Sequence, residues 1–318
     1  MSTFLDDVIR GLSATPKAIP SRYFYDERGD ELFQQIMKLE EYYLPEAELE
    51  ILNQQSASIF RDLNLVNRTL DIIELGAGDG SKTLSFLQEG VRLGVDIHYY
   101  PMDISPDILN KNKHMIHDHL PDLVIRPIAG NFFNTLSEIP KKSPHRVILF
   151  MGSNIGNLND REIAELFEKI RTVMIPGDAL LVAFDLRKSP RTILKAYDDS
   201  AGVTRKFNLN LFQRINRELD ADFDLSGFEF YPLYDPVSGT VCSYLISTRK
   251  QKVQVDDGRY TFDFAPFEAI RTEISRKFSV SEIEQICSAN GFSTMNHYVS
   301  EEYQYTITHL ELSGDNTR

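Results

Sequence analysis

The chain has 318 residues, of which 42% are hydrophobic and 25% charged, and its formal net charge is −13. This length favours two domains over one core, and the acidic balance argues against a nucleic-acid substrate, which normally requires a basic face. No apolar run approaches the roughly 20 residues that cross a bilayer, so we expect no membrane partner.

The amino-terminal stretch Met1–Asp7 lacks the basic-then-apolar pattern of a signal peptide, so we expect a cytoplasmic protein. The two cysteines, Cys242 and Cys287, lack the spacing of a disulfide framework or a metal site. Three histidines lie close together on a polar predicted helix: His114, His117 and His119. We interpret them as solvated, because closed metal sites need ligands that converge in space, and we predict no metal.

Short apolar runs alternate with amphipathic stretches from roughly residue 64 to residue 185. Five runs are predicted strands: Thr69–Leu75, Ile97–Met102, Leu123–Ile128, Val147–Met151 and Ala179–Phe184. Helical patterns separate them, for example over Asp160–Met174. This alternation is typical of parallel βαβ units.

The carboxyl-terminal part adds a predicted helix over Ser279–Gly291 and two predicted strands, Ser293–Val299 and Gln304–Leu312. A helix and a hairpin that close the edge of a parallel sheet suit the fold of methyltransferases that use S-adenosylmethionine (SAM). The same ending argues against a dinucleotide dehydrogenase.

Residues 8–58 and 190–277 do not show this alternation of strand and helix patterns. They have aromatic-rich turns and a helical pattern over Thr204–Ala221. We therefore predict an α/β fold of two domains. Residues 59–189 and 278–318 would form a Rossmann-like SAM-binding sheet with a terminal antiparallel hairpin. Residues 8–58 and 190–277 would form an α+β substrate-binding domain from two separated segments.

A glycine-rich turn, Glu74-Leu75-Gly76-Ala77-Gly78-Asp79-Gly80, follows the first of these predicted strands. Glycine permits positive φ angles and lets the backbone approach a ligand closely. The turn alone is a weak motif. Its position between a strand and a helix nevertheless predicts that Gly76, Ala77 and Gly78 hold the cofactor.

Polar groups follow the other predicted strands at the same edge. Glu74 precedes the turn, where a carboxylate can meet the cationic amino-acid end of SAM and would repel a pyrophosphate. Asp103 ends the second strand and can accept from ribose hydroxyls, although a helix N-cap or a turn residue is the alternative interpretation. Asn131 can bind the adenine amino group and Phe132 can cover the ring, and Gly152 follows the fourth strand.

Motifs along nearly the whole chain resemble one family. They are Arg22–Phe33, Glu41-Tyr42-Tyr43, Glu74–Thr83, Gly152–Asn157, Ala196–Asp199, Gly202–Asn208, Asn216–Asp224 and Thr272–Phe278. Together they resemble the SAM-dependent histidine Nα-methyltransferases of ergothioneine biosynthesis, which trimethylate the amino group of histidine to give hercynine. The resemblance implies a small amino-acid substrate, and we expect a monomer.

The resemblance also implies a set of site residues. The cofactor contacts would be Gly76, Lys82, Asp103, Asn131 and Phe132. The substrate contacts would be Tyr25, Tyr42, Asn157, Tyr197, Glu273 and Ser275. We add Ser243 and Ile274 to the predicted substrate contacts. Asn157 and Tyr197 would anchor the amino-acid backbone and act with Tyr25 as the catalytic residues. Tyr42, Glu273 and Ser275 would face the imidazole, with Glu273 ionised at neutral pH.

Other interpretations stay open at this point. Each tyrosine can be a core residue with a hydrogen-bonded hydroxyl, and a strand glutamate such as Glu273 normally faces solvent. The family typically has a methionine at the position of Ser243, so a different amino acid is an alternative substrate. A SAM-binding module without catalysis and an NAD-dependent oxidoreductase are the remaining alternatives.

Overall fold

A computed structural model describes residues 3–136 and 145–314, which form two compact units. The first unit comprises Met1–Tyr43 and Lys188–Lys277, and the second comprises Leu44–Arg187 and Phe278–Arg318. The helices are α1 (Phe4–Ser13), α2 (Glu27–Ile36), α3 (Leu44–Asp62), α4 (Thr83–Arg92), α5 (Pro106–His119), α6 (Phe132–Thr135), α7 (Asp160–Val173), α8 (Pro190–Tyr197), α9 (Val203–Glu218) and α10 (Val280–Ala289). None of the helices in these two stretches combines the length and hydrophobicity of a transmembrane span.

Both units contain β-sheet. The strands are β1 (Lys17–Ala18), β2 (Thr69–Leu75), β3 (Asp96–Asp103), β4 (Val124–Ile125), β5 (Ile128–Ala129), β6 (Arg146–Phe150), β7 (Ala179–Asp185), β8 (Phe228–Asp235), β9 (Thr240–Ser247), β10 (Gln251–Val255), β11 (Tyr260–Phe264), β12 (Ala269–Arg276), β13 (Phe292–Ser300) and β14 (Tyr305–Leu312).

The second unit is built on one sheet with the order β13-β14-β7-β6-β2-β3-β4, in which β5 also pairs with β3. The pairs among β2 to β7 are parallel, and β14 is antiparallel to both β7 and β13. From β2 the chain goes to β3 on one side and later to β6 on the other. In open α/β sheets, ligands bind where the strand order reverses in this way. The terminal hairpin agrees with the predicted fold class.

Two differences from the predicted elements have physical causes. The strand predicted over Leu123–Ile128 is divided into β4 and β5, because Pro127 between them has no N–H to donate to a ladder. The first boundary lies after Tyr43, so residues 44–58 belong to the second unit and not to the first. These residues start α3, which packs on α4 through stacked rings of Phe60 and Phe86, 4.5 Å between centroids.

The first unit contains a four-stranded sheet, β1-β12-β9-β8, and a two-stranded sheet, β10-β11. Side chains of α1, α2 and α9 share one apolar core with β8 to β12, including Leu32, Phe207 and Leu245. This core is separate from that of the second unit, which centres on β2, β6 and β7. Each unit therefore buries its own apolar residues.

A bulge in β12 decides which side chains share a face of the first unit's sheet. Ile270 pairs with Leu245, and the register against β9 then shifts between Arg271 and Glu273, so that Glu273 pairs with Ser243. Beyond a bulge the alternation of side chains moves by one residue. Glu273 and Ser275 therefore project on the same face as Ser243, which places polar groups beside the apolar core.

Candidate active site

Backbone hydrogen bonds hold the glycine turn of the second unit against the neighbouring strand, β3. The N–H groups of Gly76 and Ala77 both donate to the carbonyl of Met102, at 2.8 Å and 2.9 Å. Gly76 and Gly78 have φ angles of +70° and +57°, which an L side chain rarely adopts. The backbone that sequence analysis assigned to the cofactor is thus held at the carboxyl ends of β2 and β3.

Asp103 supports this turn from the end of β3. Its carboxylate accepts from the N–H of Gly78 and from the N–H of Ser105, each at 3.0 Å. Burial raises the pKa of Asp103 and these backbone donors oppose the rise. Ser105 and not Asp103 caps α5, so the N-cap interpretation does not apply, but the bond from the Ser105 N–H agrees with the interpretation of Asp103 as a turn residue. The contact of Asp103 with the ribose stays a prediction.

Asp103→Ala is expected to weaken binding of S-adenosylhomocysteine by about 1–3 kcal/mol, because the turn loses an acceptor and ribose hydroxyls lose a partner. Isothermal titration calorimetry measures this directly. Asp96→Ala is the matched control, since Asp96 is exposed at the other end of the same strand. Equal affinity in wild type and Asp103→Ala would remove Asp103 from the cofactor site.

Glu74 is buried below the turn. Its carboxylate accepts from the Thr83 hydroxyl at 2.6 Å and from the Tyr99 hydroxyl. Burial raises its pKa to about 7, against the effect of these two hydrogen bonds. The carboxylate therefore anchors the start of α4 to β3, and the direct contact with SAM that we assigned to it stays a prediction.

A buried carboxylate on α3, Glu48, organises the other side of the site. It accepts from the N–H of Gly152 at 2.6 Å and from the Tyr305 hydroxyl at 2.8 Å, and it pairs with the Lys82 ammonium at 2.6 Å. Burial acts to lower the pKa of Lys82, but the charge and hydrogen bond of Glu48 raise it overall. Sequence reasoning missed Glu48, although its place between Leu44 and Leu52 on an apolar helix face is a usable signal.

The segment that begins at Gly152 follows β6 and lies beside the glycine turn that follows β2. A Cβ atom on Gly152 would lie 3.2 Å from the amide nitrogen of Asn154 and 3.4 Å from the Lys82 ammonium, and one on Gly76 would lie 3.4 Å from the same amide. Gly76, Lys82 and Gly152 are therefore brought together. Asn157 ends the short 3-10 helix of this segment and is half-buried.

Asn131 and Phe132 follow β5 at the same edge. Asn131 is exposed, and the Phe132 ring is half-buried and meets the Phe150 ring edge-on, with 5.7 Å between centroids. Within the described stretches no group of three or more metal-ligating side chains converges. His114 and His119 are exposed on α5.

The first unit carries a connected series of aromatic rings. Tyr25 meets Phe33 and Tyr42 meets Tyr197 edge-on, with centroids 5.6 Å and 6.2 Å apart, and Phe33 lies 6.4 Å from Tyr42. Tyr25 and Tyr42 are half-buried, and Tyr197 is 5% exposed. The three tyrosines that sequence analysis placed on the substrate thus lie in one aromatic cluster.

Polar groups of β12 and β9 lie in the same unit. The Ser243 hydroxyl donates to Glu273 at 3.4 Å, and the hydroxyls of Tyr197 and Ser275 lie 2.7 Å apart. Ile274 pairs with Cys242 and projects from the opposite face of β12. Alternation thus turns its side chain away from Glu273 and Ser275, and the substrate contact assigned to Ile274 stays a prediction.

The ionisation expected for Glu273 also needs correction. Burial raises the pKa of Glu273 from 4.5 to about 7, although the charge of Lys277 and the hydrogen bond from Ser243 act to lower it. At neutral pH the carboxyl is thus partly protonated in the unliganded protein. A substrate N–H that donates to it would favour the charged form.

This raised pKa predicts how stability depends on pH. The folded protein keeps the Glu273 proton up to pH 7, whereas the unfolded chain loses it near 4.5, so wild type loses stability as pH rises through this window. Glu273→Gln removes the effect. The melting temperature of the variant minus that of wild type is therefore expected to increase as the pH rises from about 5 to about 8. Glu229→Gln, an exposed position on β8, is the control. A constant difference across this range would contradict the assigned environment.

Comparison with known proteins places these features in context. Residues 4–312 match the family described as "Histidine-specific methyltransferase, SAM-dependent". The chain is 35% identical to the histidine N-alpha-methyltransferase of Mycobacterium tuberculosis, over 95% of this chain and 92% of that one. It is 31% identical to ergothioneine biosynthesis protein 1 of Schizosaccharomyces pombe, over 91% of this chain and 38% of the relative. The solved structure of the mitomycin 7-O-methyltransferase MmcR has a TM-score of 0.50 at 14% identity and covers 92% of this chain and 59% of its own, which shows a shared fold.

Proposed function

This chain belongs to the family of SAM-dependent, histidine-specific methyltransferases, and we propose that it methylates the α-amino group of L-histidine up to the trimethylated product. The observation that carries the proposal is the pairing of Glu273 with Ser243 and of Ser275 with Tyr197 in the first unit. These side chains can bind a ring that has both an N–H and a nitrogen lone pair. An aliphatic side chain would offer these polar groups no hydrogen bond while excluding water from them, at a cost of several kcal/mol (roughly 2–7).

The residues of the second unit fit SAM. Backbone at Gly76 and Gly78 adopts positive φ, and a Cβ on Gly78 would meet no atom within 4 Å, so the turn leaves space on that side. Lys82 would pair with the carboxylate of the cofactor and Asp103 with its ribose. Asn131 and Phe132 would bind the adenine.

When bound, SAM supplies a methyl group on a positively charged sulfur. Displacement there requires an amine lone pair aligned with the methyl group, so positioning supplies most of the catalysis. We assign this positioning to Tyr25, Asn157 and Tyr197, which would hold the carboxylate and the amine. An α-amine titrates near 8 in peptides and somewhat higher in a free amino acid, so water can take its proton before transfer.

Asn157→Ala and Tyr197→Phe are each expected to reduce methylation of histidine about 10-fold or more, the loss of one hydrogen bond to a charged group. Binding of S-adenosylhomocysteine should change less than twofold, by roughly 0.4 kcal/mol. Calorimetry of histidine in the presence of S-adenosylhomocysteine gives the matching substrate affinities. Equal losses of cofactor and substrate affinity would show that these residues hold the cofactor instead.

The proposal retains two predictions from the sequence, a cytoplasmic location and a monomeric state. Cell fractionation tests the first. Sedimentation equilibrium tests the second.

A further inference from the structure

Lys277 is a fully buried lysine that follows β12, with 0% of its surface exposed. Its ammonium lies 2.7 Å from the Tyr197 hydroxyl and 3.1 Å from the Ser275 hydroxyl, and 4.7 Å from the centre of the Tyr197 ring. Burying an ammonium is costly unless its hydrogens are donated to acceptors. Its side chain therefore belongs to the cluster of proposed substrate contacts.

The chemistry of the three groups restricts the direction of their hydrogen bonds. An ammonium only donates, whereas a hydroxyl has one hydrogen and two acceptor lone pairs. Both the Tyr197 and the Ser275 oxygens therefore accept from Lys277. One of these hydroxyls must also donate to the other across the 2.7 Å that separates them.

A phenol is the stronger donor of the two hydroxyls, which favours the arrangement in which Tyr197 donates to Ser275. The Ser275 oxygen then accepts from two donors, Lys277 and Tyr197, and both of its lone pairs are used. The hydroxyl hydrogen of Ser275 therefore has to be donated to an acceptor other than Lys277 and Tyr197. The positive charge of Lys277 polarises the hydroxyl and makes it a better donor.

We propose that Lys277 is a positioning residue that makes Ser275 an obligate hydrogen-bond donor to the substrate ring. This inference rests on the proposed function and deepens it. Glu273 and Ser275 are two residues apart on one face of β12, so their side chains project in parallel, roughly 6.6 Å apart along the strand. Glu273 would accept the ring N–H, and Ser275 would donate to the ring nitrogen that carries a lone pair. The site would thus select the neutral imidazole.

The inference predicts coupling between Lys277 and Ser275. Lys277→Met is expected to raise KM for histidine about 10-fold with a smaller change in kcat, because the loss concerns ring binding. In a Ser275→Ala background the same substitution should raise KM less than about twofold, since the hydroxyl it positions is gone. Affinity for S-adenosylhomocysteine should stay unchanged in all these variants.

Lys252→Met is the matched control, because Lys252 is an exposed lysine on β10 of the same unit. Melting temperatures show whether each variant folds. Should Lys277→Met not fold, Lys277→Gln tests the same arrangement, because it removes the charge that polarises Ser275 but keeps an N–H donor for the two hydroxyls. Its effect on KM should also shrink in the Ser275→Ala background.

The outcomes separate the inference from the proposed function. If wild type methylates histidine but the effects of Lys277→Met and Ser275→Ala on KM multiply independently, the positioning role is overturned and the function stands. If wild type neither binds nor methylates histidine, both are overturned. A coupled effect that is confined to KM supports the role of Lys277.

Discussion

Glu273→Ala is expected to lower kcat/KM for histidine by about 2–5 kcal/mol, roughly 30-fold to several thousand-fold. Glu273 is the carboxyl that meets Ser243 in the first unit, and its pKa is raised to about 7 by burial. An imidazole N–H would stabilise its charged form. Without the carboxyl, the donor of the ring loses its partner and histidine loses its advantage over other rings.

The assay compares histidine, tryptophan and tyrosine side by side in wild type and variant. Ser243 is fully buried and is smaller than the methionine that the resemblance implies at its position, so Glu273→Ala is expected to shift preference towards the larger rings. Glu229→Ala, on the exposed face of β8, controls for the loss of a carboxylate. Undiminished efficiency with histidine in Glu273→Ala would refute this account of specificity.

Glu48→Ala is expected to destabilise the protein by about 3–5 kcal/mol, since removing one partner of a buried ion pair leaves the other charge uncompensated. The substitution leaves the Lys82 ammonium without the carboxylate of its ion pair. It also removes the acceptor of the Gly152 N–H and of the Tyr305 hydroxyl. Binding of S-adenosylhomocysteine should weaken as well, because Gly152 and Lys82 lie in the proposed cofactor site.

Denaturant unfolding and calorimetry measure the two effects. Glu46→Ala is the matched control on the same helix, since Glu46 is exposed and contacts Tyr303 only at the surface. Glu48→Ala combined with Lys82→Met should recover part of the stability, because no buried charge is then left alone. A Glu48→Ala protein as stable as wild type would show that the ion pair contributes little.

Local patterns were sufficient to predict the parallel sheet and its edge. The strand ends before Gly76, Asp103 and Gly152 were predictable because an apolar run that ends in glycine or a polar residue signals the carboxyl end of a buried strand. The helix after residue 278 was predictable from the helical spacing of its apolar residues, and the hairpin from two segments that alternate apolar and polar residues. The position of the hairpin at the edge of the sheet was expected from the fold of SAM-dependent methyltransferases.

Groups that depend on tertiary contacts were not predictable. The carboxylate of Glu48 reaches Gly152, which is 104 positions away in the chain, so no local pattern contains the pair. The bulge after Arg271 moves Glu273 to the inner face, whereas plain alternation from Ile270 would have turned it outward. Lys277 looked like an ordinary charged residue, and only the fold shows it buried against Tyr197.

The central claim is tested most directly by mass spectrometry of an amino-acid mixture incubated with the wild-type protein and SAM. The account predicts that histidine gains one, two and then three methyl groups, that fragmentation locates them on the α-nitrogen, and that a parallel reaction with Asn157→Ala shows much less of each. Methylation of a different amino acid in preference to histidine, or methyl groups on the imidazole ring, would contradict it.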